Sequence, residues 1–274
     1  MRYIVAEYAD CGKGARKERF MIDLHCHILP FADDGAENAK IACAMAEHSL
    51  RHGVDTIVAT PHCNLLGARE NFRGREFEEV LGMFRALLRQ RGLPLTLLPG
   101  CELFVHSSNL AELLDGNKVM TLNRSRYLLV EFNFLSQGKT ISVMLDRILR
   151  RGYVPVVAHP ERYAAVQREP RLVVDWFSRG CIIQLNKGSL LGRLGKGAYA
   201  TGMHLLRSGL AHVIASDAHN MLHRPPGFFS LMPVLKHYCS EEYIKTLLED
   251  NPLRIISDQP IPIAKYHQPS GELP

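Results

Sequence analysis

Histidines and carboxylates follow one apolar run after another in this 274-residue chain. The motif DLHCH places His25 and His27 two residues apart, and PFADDG after it supplies Asp33 and Asp34. Later runs end in TPH, PGCE, VEF, AHPER and SDAH. The candidate metal ligands are His25, His27, Asp34, His62, Glu102, Glu131, His159, Asp217 and His219. Imidazole and carboxylate donors together suit Mn, Fe or Zn. This set is too large for one ion and predicts two or three.

The chemistry that such a centre favours is hydrolysis of a phosphate ester. Several metal ions lower the pKa of a shared water and stabilise the oxygens of a phosphoryl group. Arg162 in AHPER and Arg224 in HNMLHRPP add guanidinium groups, each able to bind two phosphate oxygens at once. If a general acid assists the leaving oxygen, Asp217 or His219 is the candidate. Each residue alone has an ordinary structural explanation, so the prediction depends on the whole set.

The elements that position these side chains repeat along the chain. An amphipathic helical stretch, a glycine and a short apolar strand recur in segments such as AMAEHSLRHGVDTIVAT and LDRILRRGYVPVVAH. The glycines are placed to end helices in a left-handed conformation, at Gly53, Gly92, Gly152, Gly180 and Gly209. Near-continuous apolar strands indicate a buried parallel sheet. About seven of them predict an α/β barrel, in which the carboxyl ends of the strands share one rim.

Composition limits the class of protein. The chain is 46% hydrophobic and 22% charged, which suits one large domain. No apolar run is long enough to span a membrane, and the N-terminus lacks a secretory signal. Seven cysteines without a CxxC pair favour a reducing cytoplasm. The net charge of +5 is weak evidence for nucleic acid, so we expect neither nucleic-acid binding nor membrane insertion.

We expect the chain to divide into an N-terminal extension over 1–20, a catalytic domain over 21–260 and an irregular tail over 261–274. Proline and polar residues become frequent after about residue 252, which favours irregular structure from there onward. Trp176 lies on an amphipathic stretch and is expected in the core. The histidines outside the motifs are assigned to structure or surface: His48, His52, His106, His204, His212, His223 and His237.

The motifs MIDLHCHILPFADDGA, IVATPH, LPGCEL, LLVEF, VVAHPERY, IIQLNKGSLLG and ASDAHN followed by RPP resemble the PHP (polymerase and histidinol phosphatase) superfamily. They are most similar to its branch of manganese-dependent protein-tyrosine phosphatases from bacterial capsule and exopolysaccharide operons. The resemblance covers about residues 21–250 and keeps the order of the motifs. It implies a distorted, TIM-like (β/α)7 barrel, the PHP fold, holding three metal ions. Manganese is the expected metal, with iron or zinc as alternatives.

The resemblance also implies how the ligands divide among the ions. One ion is held by His25, His27, Glu102 and Asp217. Glu102 bridges to a second ion, held also by Glu131 and His159. The third ion is held by Asp34, His62 and His219. Arg162 and Arg224 match the phosphate-contacting arginines of the family.

The partner that the resemblance implies is a phosphotyrosine protein, namely the tyrosine-rich tail of a bacterial tyrosine autokinase that controls a surface polysaccharide. This chain departs from the family pattern at Cys63, where a second histidine often follows His62, and in residues 1–20. Neither departure removes a ligand. The oligomeric state stays open.

Three alternatives remain at this point. The segment from His62 to Arg69 matches the HCx5R spacing of cysteine-dependent tyrosine phosphatases, in which the Cys63 thiolate would attack phosphorus. A related PHP enzyme would act on a small phosphomonoester such as histidinol phosphate or a nucleotide, because substrate choice lies in the loops. A degenerate, non-catalytic PHP module would have lost ligands, whereas all of the motif positions are present here.

Overall fold

The computed structural model describes residues 21–67 and 70–262. The predicted extension over 1–20 lies outside the described residues, and so does all but the start of the predicted tail over 261–274. The strands of the described ranges are β1 (Met21–Cys26), β2 (Val54–Ala59), β3 (His62–Cys63), β4 (Thr96–Pro99), β5 (Glu102–Phe104), β6 (Tyr127–Glu131), β7 (Val154–Ala158), β8 (Ile182–Asn186) and β9 (Val213–Ala215).

All of these strands pair in parallel, in two sheets with the orders β1-β2-β4 and β3-β5-β6-β7-β8-β9. β3 continues the path of β2 after a break at Pro61, and β5 continues that of β4 after a break at Gly100. The two sheets therefore share two interrupted strands. Counting each interrupted pair once gives the seven predicted strand positions, whereas the structure divides them into more segments. Proline lacks the N–H that a ladder needs, which accounts for the first break.

The last strand returns to the first through a single parallel bridge between Cys26 and Ala218. His27 N–H donates to the Ala218 carbonyl at 2.9 Å, and Asp217 N–H donates to the His25 carbonyl at 2.8 Å. The ring of strands is thus joined between β9 and β1 by a few hydrogen bonds and not by a continuous ladder. This junction lies at the carboxyl ends of both strands, next to four of the candidate ligands.

Helices connect the strands and cover the outside of the sheets. They are α1 (Ala39–Arg51), α2 (Arg75–Gln90), α3 (Leu110–Asp115), α4 (Gly138–Leu149), α5 (Ala164–Arg168), α6 (Arg171–Ser178), α7 (Lys187–Leu190), α8 (Lys196–Arg207), α9 (Met232–Tyr238), α10 (Glu241–Lys245) and α11 (Asn251–Ile256). The five glycines predicted to end helices all have positive φ angles, between 66° and 94°. None of the helices in the described ranges has the length and apolar content to cross a bilayer.

The end of the described chain corrects one prediction. Residues after about 252 were expected to be irregular, but Asn251–Ile256 form α11, which follows a π-helical stretch over Thr246–Asp250. Pro252 lies in the first turn of α11, where the fixed φ of proline is compatible with the helix. Ile255 is fully buried, so packing against the barrel outweighs the local composition.

The core forms two apolar clusters. Strand side chains such as Ile22, Leu24 and Leu129 make the smaller cluster. The larger cluster lies where helices pack against strands, and it contains Trp176, which is fully buried as expected. Burying the strands on both faces leaves their carboxyl ends as the place where polar side chains can gather.

Candidate metal centre

The end of β1 places two imidazoles side by side. His25 and His27 are fully buried, and their Nε2 atoms lie 3.1 Å apart. Gln184 Oε1 lies 3.0 Å from His25 Nδ1, and Asp33 Oδ2 lies 2.6 Å from His27 Nδ1. An acceptor on Nδ1 keeps the proton on that nitrogen, so both Nε2 lone pairs are free to bind a cation.

Glu102, at the start of β5, lies among four imidazoles. Its Oε2 atom is 3.1 Å from His25 Nε2, 3.3 Å from His27 Nε2 and 3.1 Å from His62 Nδ1. Its Oε1 atom is 3.0 Å from His159 Nε2. Among residues 21–67 and 70–262, His62 Nδ1 has no hydrogen-bond partner in spite of this proximity. A carboxylate in this position can bridge two cations.

A second group lies toward the mouth of the barrel. Asp34 Oδ1 is 3.5 Å from His62 Nε2 and 3.5 Å from His219 Nε2. The Asp34 side chain is 67% exposed, whereas those of His62 and His219 are 12% and 5% exposed. Glu131 lies beside His159, with its Oε1 atom 3.7 Å from His159 Nε2. The centre therefore runs from a buried floor to a solvent-exposed edge.

All of the predicted ligands belong to at least one cluster whose donor atoms lie within 4.8 Å of one another. The clusters are His25, His27 and Asp217; His25, Glu102 and His159; His62, Glu102 and Glu131; and His27, Asp34, His62 and His219. The division among three ions stays a prediction, because the clusters group Glu102 and His159 with His25, and Glu131 with His62. His27 also lies beside the outer group that contains Asp34.

The two predicted arginines meet at Asp217. Arg224 Nη2 forms an ion pair with Asp217 Oδ2, and Arg162 Nη1 lies 3.6 Å from the same oxygen. The other oxygen, Oδ1, faces His25 and His27 at 3.4 Å each. Asp217 thus separates a cation-binding side of the cleft from a side lined by guanidinium groups.

Two of the strand ends have an unusual backbone. His159 and Asp217 have φ angles of 34° and 49°, in the left-handed region that non-glycine residues rarely adopt. His159 directly follows β7, and Asp217 lies two residues after the end of β9. Strain of this kind accumulates at functional sites, where the surrounding structure maintains it.

Electrostatics of the centre favour a bound cation. Burial, together with the neighbouring carboxylates Glu102 and Asp217, raises the pKa of Glu131 to about 9. Burial also opposes ionisation of Asp217, but His25, His27 and Arg224 hold its pKa well below the usual range. Burial lowers the pKa of His159 to about 4, against the opposing effect of Glu102. Although burial opposes the change, Glu102 and Asp217 raise the pKa of His25, and Asp33 raises that of His27. A cation that displaces these protons would bind imidazoles and carboxylates, the donor set that transition metals prefer.

The cleft above these residues has a volume of about 270 Å³. Its lining adds Leu65, Phe104 and Phe134 to the candidate ligands and the two arginines. The Arg162 guanidinium lies over the Phe134 ring at 4.3 Å. The arrangement suits an anion that carries an apolar or aromatic group.

Several site residues were missed by reasoning from the sequence. Gln184 and Asn186 lie at alternate positions of β8, and Asn186 Nδ2 donates to Asp217 Oδ2. Polar residues two apart inside the apolar run IIQLN were the available signal. Asp33 was noticed in the ADD pair, but its contact with His27 was not predicted. Phe134 gave no signal, because an aromatic residue in a loop is ordinary.

The cysteine-dependent alternative fails at Cys63. Its side chain is fully buried, and a hydrogen bond with Cys101 together with burial raises the pKa of the Cys63 thiol far above its ordinary value. An attacking cysteine needs an accessible thiolate with a lowered pKa. Arg69, the other half of that motif, lies outside the described residues.

Comparison with known proteins agrees with this geometry. The family model for capsular polysaccharide synthesis, CpsB/CapC, matches residues 21–257. The tyrosine-protein phosphatase YwqE of Bacillus subtilis is 35% identical over 201 residues, 73% of this chain and 78% of that protein. The tyrosine-protein phosphatase CpsB of Streptococcus pneumoniae is 33% identical over 244 residues, 87% of this chain and 99% of that protein.

Solved structures confirm the predicted fold class. A crystal structure from work on YwqE and CpsB, described as unique metal-dependent tyrosine phosphatases, matches with a TM-score of 0.80 and 32% identity. The match covers 88% of this chain and 96% of that chain. The Listeria monocytogenes lactonase Lmo2620 is 11% identical, with a TM-score of 0.58 over 87% of this chain and 95% of that chain, and shares the fold. The motifs, the fold and the family model agree, and the chain belongs to the CpsB/CapC family of capsular polysaccharide synthesis.

Proposed function

We propose that this chain is a metal-dependent phosphatase that hydrolyses phosphotyrosine in protein substrates. The observation that carries the proposal is the convergence of histidines and carboxylates from six of the seven strand positions on one cleft that also holds Arg162 and Arg224. Relatives at 33% and 35% identity are named tyrosine-protein phosphatases, and they support the choice of substrate.

The residues present fit a metal centre. The Nε2 atoms of His25 and His27 lie 3.1 Å apart with their Nδ1 atoms engaged elsewhere, and His62 Nδ1 makes no hydrogen bond beside Glu102. We propose that the nine predicted ligands hold three ions, with manganese as the expected metal. Bound ions supply hydroxide from water near neutral pH and offset the charge of the phosphoryl oxygens.

The protein side chains then have separate tasks. Arg162 and Arg224, which both face Asp217, bind the outer phosphate oxygens. Asn186 and the two histidines of β1 hold the Asp217 carboxylate in place. A phenolate with a pKa near 10 is a comparatively good leaving group, so strong general-acid assistance is not required. The pKa of Asp217 is held well below its usual range, and burial lowers the pKa of His219, so neither predicted general acid is an effective proton donor at neutral pH.

The form of the cleft favours a protein substrate over a small ester such as histidinol phosphate. Its outer ligand Asp34 is 67% exposed, which leaves the mouth open to a chain. Leu66, Leu135 and Leu222 follow β3, β6 and β9 and are 93%, 80% and 85% exposed. Leu65 and Phe134, next to the first two, line the cleft itself. Apolar residues around an anion site fit a peptide with apolar groups near its phosphotyrosine.

We further propose that the physiological substrate is the tyrosine-rich tail of a bacterial tyrosine autokinase that controls capsule or exopolysaccharide synthesis. The family description and the exposed outer edge of the cleft at Asp34 support this choice. The catalytic unit is proposed to extend over 21–260.

The test is turnover of a phosphotyrosine peptide by metal-free protein, by the same protein reloaded with Mn²⁺, and by a Cys63→Ser variant. We expect activity only after reloading, and unchanged activity in the variant. Histidinol phosphate serves as the competing substrate at equal concentration. Activity that resists chelation but is lost in Cys63→Ser would overturn the metal-dependent mechanism, and a preference for histidinol phosphate would overturn the choice of substrate.

A further inference from the structure

Lys187 is a buried cation that the proposed mechanism does not use. It follows β8 in the motif QLNKG and is only 3% exposed. Its ammonium group donates to two backbone carbonyls, those of Pro225 and Gly227, the latter at 2.8 Å. Burial lowers its pKa to about 8, although the Asp23 carboxylate opposes this change. A buried lysine costs free energy unless its contacts offset the loss of hydration.

The two carbonyls belong to the segment that directly follows Arg224. That segment reads Pro225-Pro226-Gly227, and its prolines have no N–H with which to form hydrogen bonds of their own. Gly227 has a φ angle of 81° and packs so closely that a Cβ there would lie 2.6 Å from His52 Cβ. The two prolines therefore offer only their carbonyls for hydrogen bonding, and Lys187 binds the carbonyls of Pro225 and Gly227.

The other side of Arg224 is held by a separate turn. Asn220 Oδ1 accepts hydrogen bonds from the N–H groups of Leu222, His223 and Arg224, at 2.8 to 3.3 Å. His219 N–H donates to the Arg224 carbonyl at 3.0 Å. The backbone of Arg224 thus lies between the Asn220 turn and the segment anchored by Lys187.

We infer that Lys187 is a positioning residue, which fixes the Arg224 guanidinium in the cleft by anchoring the carbonyls that follow it. Arg224 reaches the Oδ2 atom of Asp217 from this backbone position. Asn186, the neighbour of Lys187, donates to the same oxygen. The end of β8 therefore orients both members of the Arg224–Asp217 pair. Asn186 orients Asp217 through a side-chain hydrogen bond, and Lys187 orients Arg224 through the loop that follows it. The inference rests on the proposed function, because it assigns Arg224 to phosphate binding.

The experiment compares full-length, Mn²⁺-loaded wild type with Lys187→Met, Arg224→Gln and the double variant. Lys196→Met, at an exposed lysine, is the control. The measurements are kcat and KM for a phosphotyrosine peptide, the inhibition constant of inorganic phosphate, metal content and the melting temperature. Calorimetric titration of inorganic phosphate into the loaded proteins gives a readout that does not need turnover.

We expect Lys187→Met to lower kcat/KM by about 10- to 100-fold, because small displacements of a positioning group have effects of this size. Most of the change falls on KM and on phosphate affinity, with metal content unchanged. In the Arg224→Gln background the same substitution has almost no further effect, because the residue that it positions is gone. Lys187→Gln, which keeps N–H donors, recovers part of the loss.

Three results would overturn the inference. The first is an equal loss from Lys187→Met with and without Arg224. The second is a lower kcat at constant KM, which indicates a smaller folded fraction. The third is loss of cooperative melting in both Lys187→Met and Lys187→Gln, which would mean that Lys187 is required for the fold and not specifically for the position of Arg224. If wild type binds phosphate but hydrolyses no phosphotyrosine peptide, the proposed function fails, while phosphate titration of the variants still tests the positioning role.

Discussion

At the level of single residues, Asp217 joins the two halves of the cleft. One carboxylate oxygen faces the imidazoles of β1 at 3.4 Å, and the other faces Arg162, Arg224 and Asn186. The low pKa of Asp217 keeps it ionised throughout the physiological range. A neutral side chain of the same shape would keep the packing but lose the attraction for both metal and arginine.

Asp217→Asn is expected to lose bound metal and to lower phosphopeptide turnover by at least about 100-fold. Substituting a residue that only hydrogen-bonds to a metal ligand lowers metal affinity or activity by about 10- to 100-fold, and loss of a ligand itself should have a larger effect. Elemental analysis and steady-state kinetics measure the two effects. Asp175→Asn, on the exposed face of α6, is the control and should behave like wild type. Near-normal metal content and rate in Asp217→Asn would remove this residue from the centre.

The stacking of Arg162 on Phe134 gives a second residue-level prediction. Phe134→Leu should raise KM for the phosphopeptide by about 3- to 30-fold, which corresponds to the 0.5–2 kcal/mol of a cation–π contact. Phe134→Tyr should keep most of the affinity. Tyr238→Leu removes a similar contact with Arg207, with the guanidinium 5.6 Å from the ring, and is the matched control. If Phe134→Leu leaves KM unchanged, Phe134 has no part in placing Arg162.

At the level of elements, the sequence predicted more of the site than of the strand boundaries. The period-two pattern of DLHCH and the ends of the apolar runs predicted which side chains converge, because parallel strands share one carboxyl edge. The same reasoning did not divide the strands at Pro61 and Gly100, although proline and glycine are residues at which strands are interrupted. It also missed α11, whose buried Ile255 is fixed by tertiary packing that local composition does not report.

The junction between β8 and β9 gives a prediction on pH. Ile183 N–H donates to His212 Nδ1 at 3.0 Å, and burial lowers the pKa of His212 to about 4. Below pH 6.5 the unfolded chain takes up a proton at this residue, whereas the folded chain stays neutral until about pH 4. The unfolded state then binds more protons, so stability falls as the pH drops through this window, by up to about 3 kcal/mol.

His212→Asn removes the titrating group and keeps an acceptor for Ile183 N–H. We expect a shallower decline of the unfolding free energy between pH 6.5 and 4 than in wild type. Denaturant titrations of both proteins, each stripped of metal, measure the difference. His237→Asn, at an exposed position, should retain the wild-type slope. Parallel curves for wild type and His212→Asn would contradict the assignment.

At the level of the whole molecule, the distribution of exposed apolar side chains bears on substrate size. Leu66, Leu222 and Leu135 are the three most exposed large hydrophobic side chains among the described residues, and all follow strands at the rim that carries the centre. A small phosphate ester held in the cleft would not need to reach them. A peptide bound through its phosphotyrosine extends across the rim and can bury them, which favours apolar residues near the phosphorylated tyrosine.

A variant with Leu66→Gln, Leu135→Gln and Leu222→Gln separates these two cases. We expect kcat/KM for an apolar-flanked phosphotyrosine peptide to fall about tenfold or more, since partial burial of each leucine contributes a fraction of the 1.5–3 kcal/mol of full burial. Turnover of p-nitrophenyl phosphate should not change, because that ester ends within the cleft. Leu253→Gln, on α11, is the control for loss of an exposed leucine. An equal fall for both substrates would mean that the leucines support the centre itself. Unchanged kinetics for both would mean that the peptide does not touch the rim, and a small phosphomonoester would then fit the open cleft as well as a protein does.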